Sequence, residues 1–144
     1  MTIKMNIGEI EDFLEKVFPQ IKGQFGIDTL KDDLLEMRLI VSDQHLRPGG
    51  TVSGPSIFAL ADVAAYVATL ARIGPAALAV TTNCSIDFMR KPTAGQDLIA
   101  RARVLKMGRT LSVTDVLIAS EGMSEPVARA TLTYSLPPKR METK

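Results

Sequence analysis

One carboxylate in this sequence stands where a carboxylate is expensive. Asp62 lies between Leu60-Ala61 and Val63-Ala64, inside the most apolar stretch of the chain, Ile57 to Ile73. Burying a carboxylate costs several kcal/mol unless it is paired or made more basic. General-base chemistry uses desolvated carboxylates of this kind, whereas a surface helix position or a salt bridge to an arginine is the structural reading of the same residue. Gly54 is the second candidate. Its N–H falls at the start of the same apolar segment, where unspent donors and the positive end of a helix dipole favour developing negative charge. That is oxyanion-hole chemistry; a glycine required only by the turn is the alternative. Eight residues at a rise of about 1.5 Å separate Asp62 from Gly54 by about 12 Å. If both act on one reacting group, the second must come from another copy of the helix, as in a two-fold dimer with antiparallel helices.

The remaining reactive side chains carry weaker signals. His45 is the only histidine, precedes a Pro/Gly-rich loop and has no Asp or Ser partner at motif spacing, which predicts a structural or solvent role. Cys84, beside Ser85 and Asp87, reads as a small core residue. Two basic turns, Arg90-Lys91-Pro92 and Lys106-Met107-Gly108-Arg109, are either solvated hairpins or phosphate holders. One Cys and one His exclude an internal disulfide and a multi-ligand Cys/His metal site. With 17 Lys plus Arg against 16 Asp plus Glu, the net charge of +1 gives no footprint for nucleic acid. Any catalysis must therefore rest on carboxylates, hydroxyls and backbone amides.

These residues need elements to hold them. Asn6 caps a helix over about 6–18, in which Ile7, Ile10, Phe13, Leu14 and Val17 recur at helical spacing. Gln24 to Leu30 predicts a short strand. Leu34 to Val41 predicts another, with Leu35, Met37, Leu39 and Val41 on one face and Glu36 and Arg38 on the other. Pro48, Gly49, Gly50 and Gly54 interrupt regular structure. A long helix follows over about 55–72, started by Pro55 and ended by Gly74-Pro75. Six alanines make it slim, and its apolar character nearly all round predicts burial. Four strand-like runs follow at 78–89, 97–105, 111–120 and 126–135, with short connections that favour an antiparallel meander. The polar tail at 137–144 is expected to fray.

The order predicts one α+β domain spanning 1–144, a single antiparallel sheet curled around a slim central helix. Its open edges and outer face favour self-association. Glu9, Glu11 and Asp12 follow a start with no apolar run, and the Ile57–Ile73 stretch is short for the roughly 20 residues that span a bilayer. A cytoplasmic protein without a membrane partner is the expectation.

The run Gly50-Thr51-Val52-Ser53-Gly54-Pro55, leading through Ala61 to Asp62, resembles the helix-start motif of PaaI-type hotdog-fold acyl-CoA thioesterases. Ile86-Asp87-Phe88-Met89-Arg90 with Pro92 and Gly95-Gln96-Asp97 is similar to a strand and turn of that family. Lys106 to Thr110 is similar to its basic hairpin, and Val127 to Ala130 to its final strand. The likeness runs in one register over about 34 to 136. It implies the hotdog fold in dimers or tetramers with sites at the interface, an acyl-CoA substrate and no cofactor beyond the coenzyme A that the substrate carries. It further implies Asp62 as base or nucleophile, the Gly54 amide of the partner as oxyanion donor, and Thr81 as a water-orienting hydroxyl. Ser53 stands at the motif histidine as the other candidate to position water, Pro55 at the second motif glycine, and Arg47 at a position that helps place water or substrate. Arg90, Lys91, Gly108 and Arg109 lie where such enzymes hold the nucleotide and pantetheine of coenzyme A. A non-catalytic acyl-CoA binding protein is the alternative, and a hotdog dehydratase or hydratase, suggested by His45-Leu46-Arg47-Pro48-Gly49, is a third.

Overall fold

In the computed structural model, which describes residues 2–76 and 78–138, Asn6 begins the first helix, α1 (Ile7–Val17). Its Oδ1 accepts the Glu9 N–H at 2.8 Å, while Glu9 Oε1 accepts the Asn6 N–H at 3.0 Å. This reciprocal capping spends two donors that a helix start otherwise leaves open. Ile10 and Leu14 point into the protein, and Phe18 ends the helix. A one-turn 3-10 helix, Pro19–Ile21, leads to the hairpin of β1 (Phe25–Lys31) and β2 (Leu34–Leu39). Leu35, Met37 and Leu39 are fully buried, as the alternation predicts. Arg38 projects from the other face to Asp28, Asp97 and Glu121 at 3.1, 2.9 and 2.9 Å. Hydrogen bonds to these carboxylates hold its guanidinium charged, and they tie β1 and β2 to the ends of two later strands.

The central helix, α2, runs Gly54–Ile73, one residue longer at each end than its pattern predicts. Ser53 is its N-cap, with Oγ accepting the Ser56 N–H at 3.3 Å. Gly74 closes it at φ 92°, a conformation open to glycine. By length and composition this helix could cross a membrane, but most of it is buried inside the protein, which accounts for its apolar character. Arg72 is buried near its end, donating to the carbonyls of Ala68 at 2.9 Å and Asp32 at 2.6 Å.

Four strands complete the sheet: β3 (Val80–Phe88), β4 (Leu98–Met107), β5 (Leu111–Ser120) and β6 (Pro126–Ser135). The order across the sheet is β1-β2-β4-β5-β6-β3, with every neighbouring pair antiparallel. The meander expected for the last four strands holds only from β4 to β6. β3 crosses over to pair with β6, because the connection through Pro92 and Gly95 is too long for a tight hairpin. Met89 and Arg90 donate to the Val127 carbonyl on the way out. β4 instead joins β2, with Asp97 accepting the Val41 N–H at 3.0 Å. β3 is thus an edge strand.

The curled sheet wraps α2 and leaves one strip of it uncovered. Toward the helix C-terminus α1 covers that strip, and the Lys4 N–H donates to the Ala71 carbonyl at 2.6 Å. Pro55, Phe58, Ala59 and Asp62, at spacings that align on one helix face, stay at least partly exposed. Of the polar tail, residues 139–144 lie outside the described residues.

Candidate active site

Asp62 sits on the uncovered strip, half-buried where β3 begins and β6 ends. The Thr81 hydroxyl donates to its Oδ1 at 2.6 Å, and the Tyr134 hydroxyl reaches the same oxygen at 2.8 Å. The Tyr134 proton is shared with the Asp62 backbone carbonyl at 3.0 Å. Among the described residues nothing donates to Oδ2, so one carboxylate oxygen is held and the other is left open, in a residue that lines the adjoining cleft. The cleft, of about 330 Å³, is walled by Phe18, Asp62, Tyr66, Val80, Thr81 and Tyr134. Burial, then the negative charge of Asp62, pushes the Tyr134 hydroxyl well above the usual tyrosine range, so it stays a proton donor. Tyr66 stacks on it with ring centroids 5.9 Å apart, which fixes the phenol. Burial and the same carboxylate raise the Cys84 thiol, so Cys84 is held as a thiol rather than the nucleophilic thiolate.

Gly54 lies at the other end of the uncovered strip. Among the first three helical residues, Pro55 has no N–H and Ser56 spends its own on Ser53 Oγ. The Gly54 N–H has no partner among the described residues and is the donor left over. Ser53 is engaged as the helix cap, and its Oγ also donates to Ser56 Oγ at 3.1 Å. The Phe88 ring stands beside Gly54: a Cβ added there would meet Phe88 Cζ at 3.7 Å. A second cleft, of about 380 Å³, brings Gly54 together with Arg47, Phe88, Arg90, Lys91 and Pro92. Three of the sequence-predicted cationic residues thus share one groove with the candidate oxyanion donor.

The other basic turn is elsewhere. Gly108 and Arg109 form the β4–β5 hairpin, which the register Leu111–Ser135–Val80 sets beside the start of β3. Arg90 and Lys91 follow the end of β3, beyond the Phe88–Ala128 pair. One chain therefore keeps the two basic turns at opposite ends of the sheet. It also holds Asp62 and Thr81 at one end and Gly54 and Arg47 at the other, as the separation along the helix requires.

His45 is 5% exposed and belongs to neither cleft. Its Nδ1 accepts the Ser42 N–H at 3.0 Å, and its Nε2 lies 3.0 Å from Gln24 Oε1. With Nδ1 accepting, Nε2 carries the proton and donates, so both ring nitrogens are spent. The His45 carbonyl accepts the Ser53 N–H at 2.8 Å, which steadies the start of α2. Its role is structural, inside a short 3-10 turn, Asp43–His45, rather than a loop. A dehydratase pairing of His45 with Asp62 has no geometry to support it. Among the described residues no group of three His, Cys, Asp or Glu is placed to hold a metal ion.

Tyr134 is the site residue that sequence reasoning missed. It is 72 positions from Asp62 and meets it only through the β3–β6 register, Thr81 opposite Tyr134. A tyrosine at an inward strand position, alternating with Leu132, was the available signal, because a buried phenol needs a partner.

Residues 49–127 match the family model of the thioesterase superfamily. That segment contains Gly54, Asp62 and Thr81 but neither α1 nor Tyr134. The acyl-coenzyme A thioesterase PaaI of Escherichia coli is 32% identical over 99 residues, covering 67% of this chain and 68% of that protein. A crystal structure from a Silicibacter strain is 58% identical and superposes with a TM-score of 0.90 over 96% of both chains. A Streptococcus mutans protein bound to acetyl CoA is 25% identical, with a TM-score of 0.71 over 81% of this chain and 91% of that one.

Proposed function

This chain belongs to the thioesterase superfamily, and from that membership we propose that it hydrolyses an acyl-CoA thioester to the free acid and coenzyme A, with Asp62 as the catalytic carboxylate. The observation that carries the assignment is the asymmetric hydrogen bonding of Asp62. Thr81 and Tyr134 fix Oδ1, leaving Oδ2 as the oxygen that takes a proton from water. The water oxygen bonds to the thioester carbonyl carbon, and the carbonyl electrons move onto oxygen. When that oxyanion collapses, the carbon–sulfur bond breaks and the departing thiolate takes up a proton. Direct attack by Oδ2 is the covalent form of the same chemistry: it expels the thiolate and leaves an anhydride that water opens.

The oxyanion needs a donor, and Gly54 of the same chain is about 12 Å away along the helix. A two-fold dimer removes that mismatch. β3 is an unpaired edge with Phe88 54% exposed, and Phe58 on the neighbouring helix strip is 37% exposed. Antiparallel pairing of two β3 edges turns the Thr81 end of one chain toward the Phe88 end of the other. Asp62 would then share a site with Gly54 of the partner subunit, and Arg47, Arg90 and Lys91 would arrive with it to take the phosphates of coenzyme A. The acetyl CoA bound to the Streptococcus mutans relative supports a coenzyme A ligand.

The test is thiol release from a panel of acyl-CoA esters. Turnover by the wild type that is lost in Asp62→Ala is the expected result. Binding of the esters without turnover, or full activity in Asp62→Ala, would contradict the proposal.

A further inference from the structure

Phe18 stands between two cavities. On one side is the Asp62 cleft, where its ring meets Tyr66 edge-on with centroids 6.4 Å apart and an interplanar angle of 80°. On the other side is a separate cavity of about 320 Å³ beneath the end of α1. That second cavity is lined by Leu14, Phe18, Ile21, Phe25, Ile27 and Met37, and its polar groups stand at the mouth, where Lys22 pairs with Glu15 at 3.4 Å. It has an apolar floor and no buried charge, which suits a hydrocarbon chain and offers nothing to a phosphate or a sugar. Phe18 lines both spaces. Its backbone is tied down, with the N–H donating to the Leu14 carbonyl at 2.7 Å. Phe18 is thus a residue the two spaces share, carried on a fixed helix end.

We infer that Phe18 is the acyl-length stop of this protein, and that the cavity beneath α1 is a distal hydrocarbon subsite that Phe18 closes to the acyl chain. The inference rests on the hydrolase reading above. An ester whose carbonyl sits at Asp62 extends its acyl chain along the cleft until it meets the Phe18 ring against Tyr66. Short chains end before the ring, and long ones are refused by it. α1 and Phe18 lie outside the segment that matches the superfamily model, residues 49–127.

The experiment measures kcat/KM by thiol release for acetyl-, hexanoyl-, dodecanoyl- and hexadecanoyl-CoA, and compares the ratio of long to short esters between variants. A merely structural role for Phe18 lowers all four alike and leaves the ratio unmoved. Phe18→Ala is expected to raise the hexadecanoyl to hexanoyl ratio by about tenfold or more, since a few methylenes in an apolar pocket are worth at least that. Phe18→Leu, which keeps an apolar plug, raises it less and serves if the alanine variant fails to fold. Adding Ile27→Phe to Phe18→Ala refills the distal cavity and returns the ratio toward the wild-type value. Turnover of short esters with an unchanged ratio in both Phe18 variants overturns the length stop and leaves the hydrolase reading intact. No thiol release from any ester in the wild type overturns the hydrolase reading itself.

Discussion

In the proposed hydrolysis, Asp62 divides its work between its two oxygens: Oδ1 is held and Oδ2 is left to take the proton. Converting it to Asn keeps the shape and the two hydrogen bonds to one oxygen but removes the base. Asp62→Asn should therefore lower kcat by about 10²- to 10⁴-fold with little change in KM, read by steady-state thiol release. Tyr134→Phe keeps the ring stacked on Tyr66 and deletes only the hydroxyl, leaving Thr81 as the single donor to Oδ1. A drop in kcat of about tenfold at unchanged KM is expected, the scale of one hydrogen bond to a charged group. His45 acts on stability rather than rate. Burial holds its imidazole below the ordinary 6.5, because the interior disfavours the charged ring. Between that lowered value and 6.5 the unfolded chain binds more protons than the folded one. The contribution of neutral His45 is therefore complete above pH 6.5, and it is lost as the pH falls through the folded-state value. Melting temperature should decline more steeply below pH 6.5 in the wild type than in His45→Gln. Asp62 and Gly54 are legible in the sequence because a carboxylate inside an apolar run and a glycine at a helix start are local signals, and Thr81 is legible only through the family resemblance. Tyr134 is not, because its proximity exists only in the strand register.

The elements position these groups by simple means. At the start of α2, proline and the serine cap leave one N–H unspent, which makes Gly54 testable by deletion of a single donor. Ser53 is already extended at ψ 156°, as a residue before proline should be, and proline suits the first helical position. Gly54→Pro should fold yet lose about 10²- to 10³-fold in kcat, the range for removing one oxyanion donor. Gly54→Ala, whose Cβ meets the Phe88 ring at an ordinary 3.7 Å, keeps the N–H and is expected to keep most of the activity. Equal losses in the two variants would count against the amide. Element types and most boundaries were readable because Asn6, Pro55, Gly74 and the period-two strand runs are local signals. The strand order was not. β3 leaves its sequence neighbour for β6 because Pro92 and Gly95 prevent a tight hairpin while Asp97 ties the start of β4 to Val41 and Arg38. Such a choice is settled by long-range pairing, which no local pattern encodes.

At the scale of the whole molecule, the curled sheet buries α2 but leaves one strip of it uncovered, beside the β3 edge of the sheet. Asp62 and Gly54 occupy opposite ends of that strip, and the two basic turns likewise part to opposite ends of the sheet. The proposed dimer answers both facts with one two-fold axis and builds two equal sites, each drawing a carboxylate from one chain and an amide from the other. It also gives the exposed Phe58 and Phe88 a partner. The measurement that tests this most directly mixes two inactive variants, Asp62→Asn and Gly54→Pro, by joint refolding, and follows thiol release from an acyl-CoA. Each mixed dimer then contains one site with both defects and one site with none. With random pairing, half the dimers are mixed and half of their sites are intact, so the mixture should recover about a quarter of wild-type activity. Activity no greater than that of the separate variants would contradict a site shared between two chains.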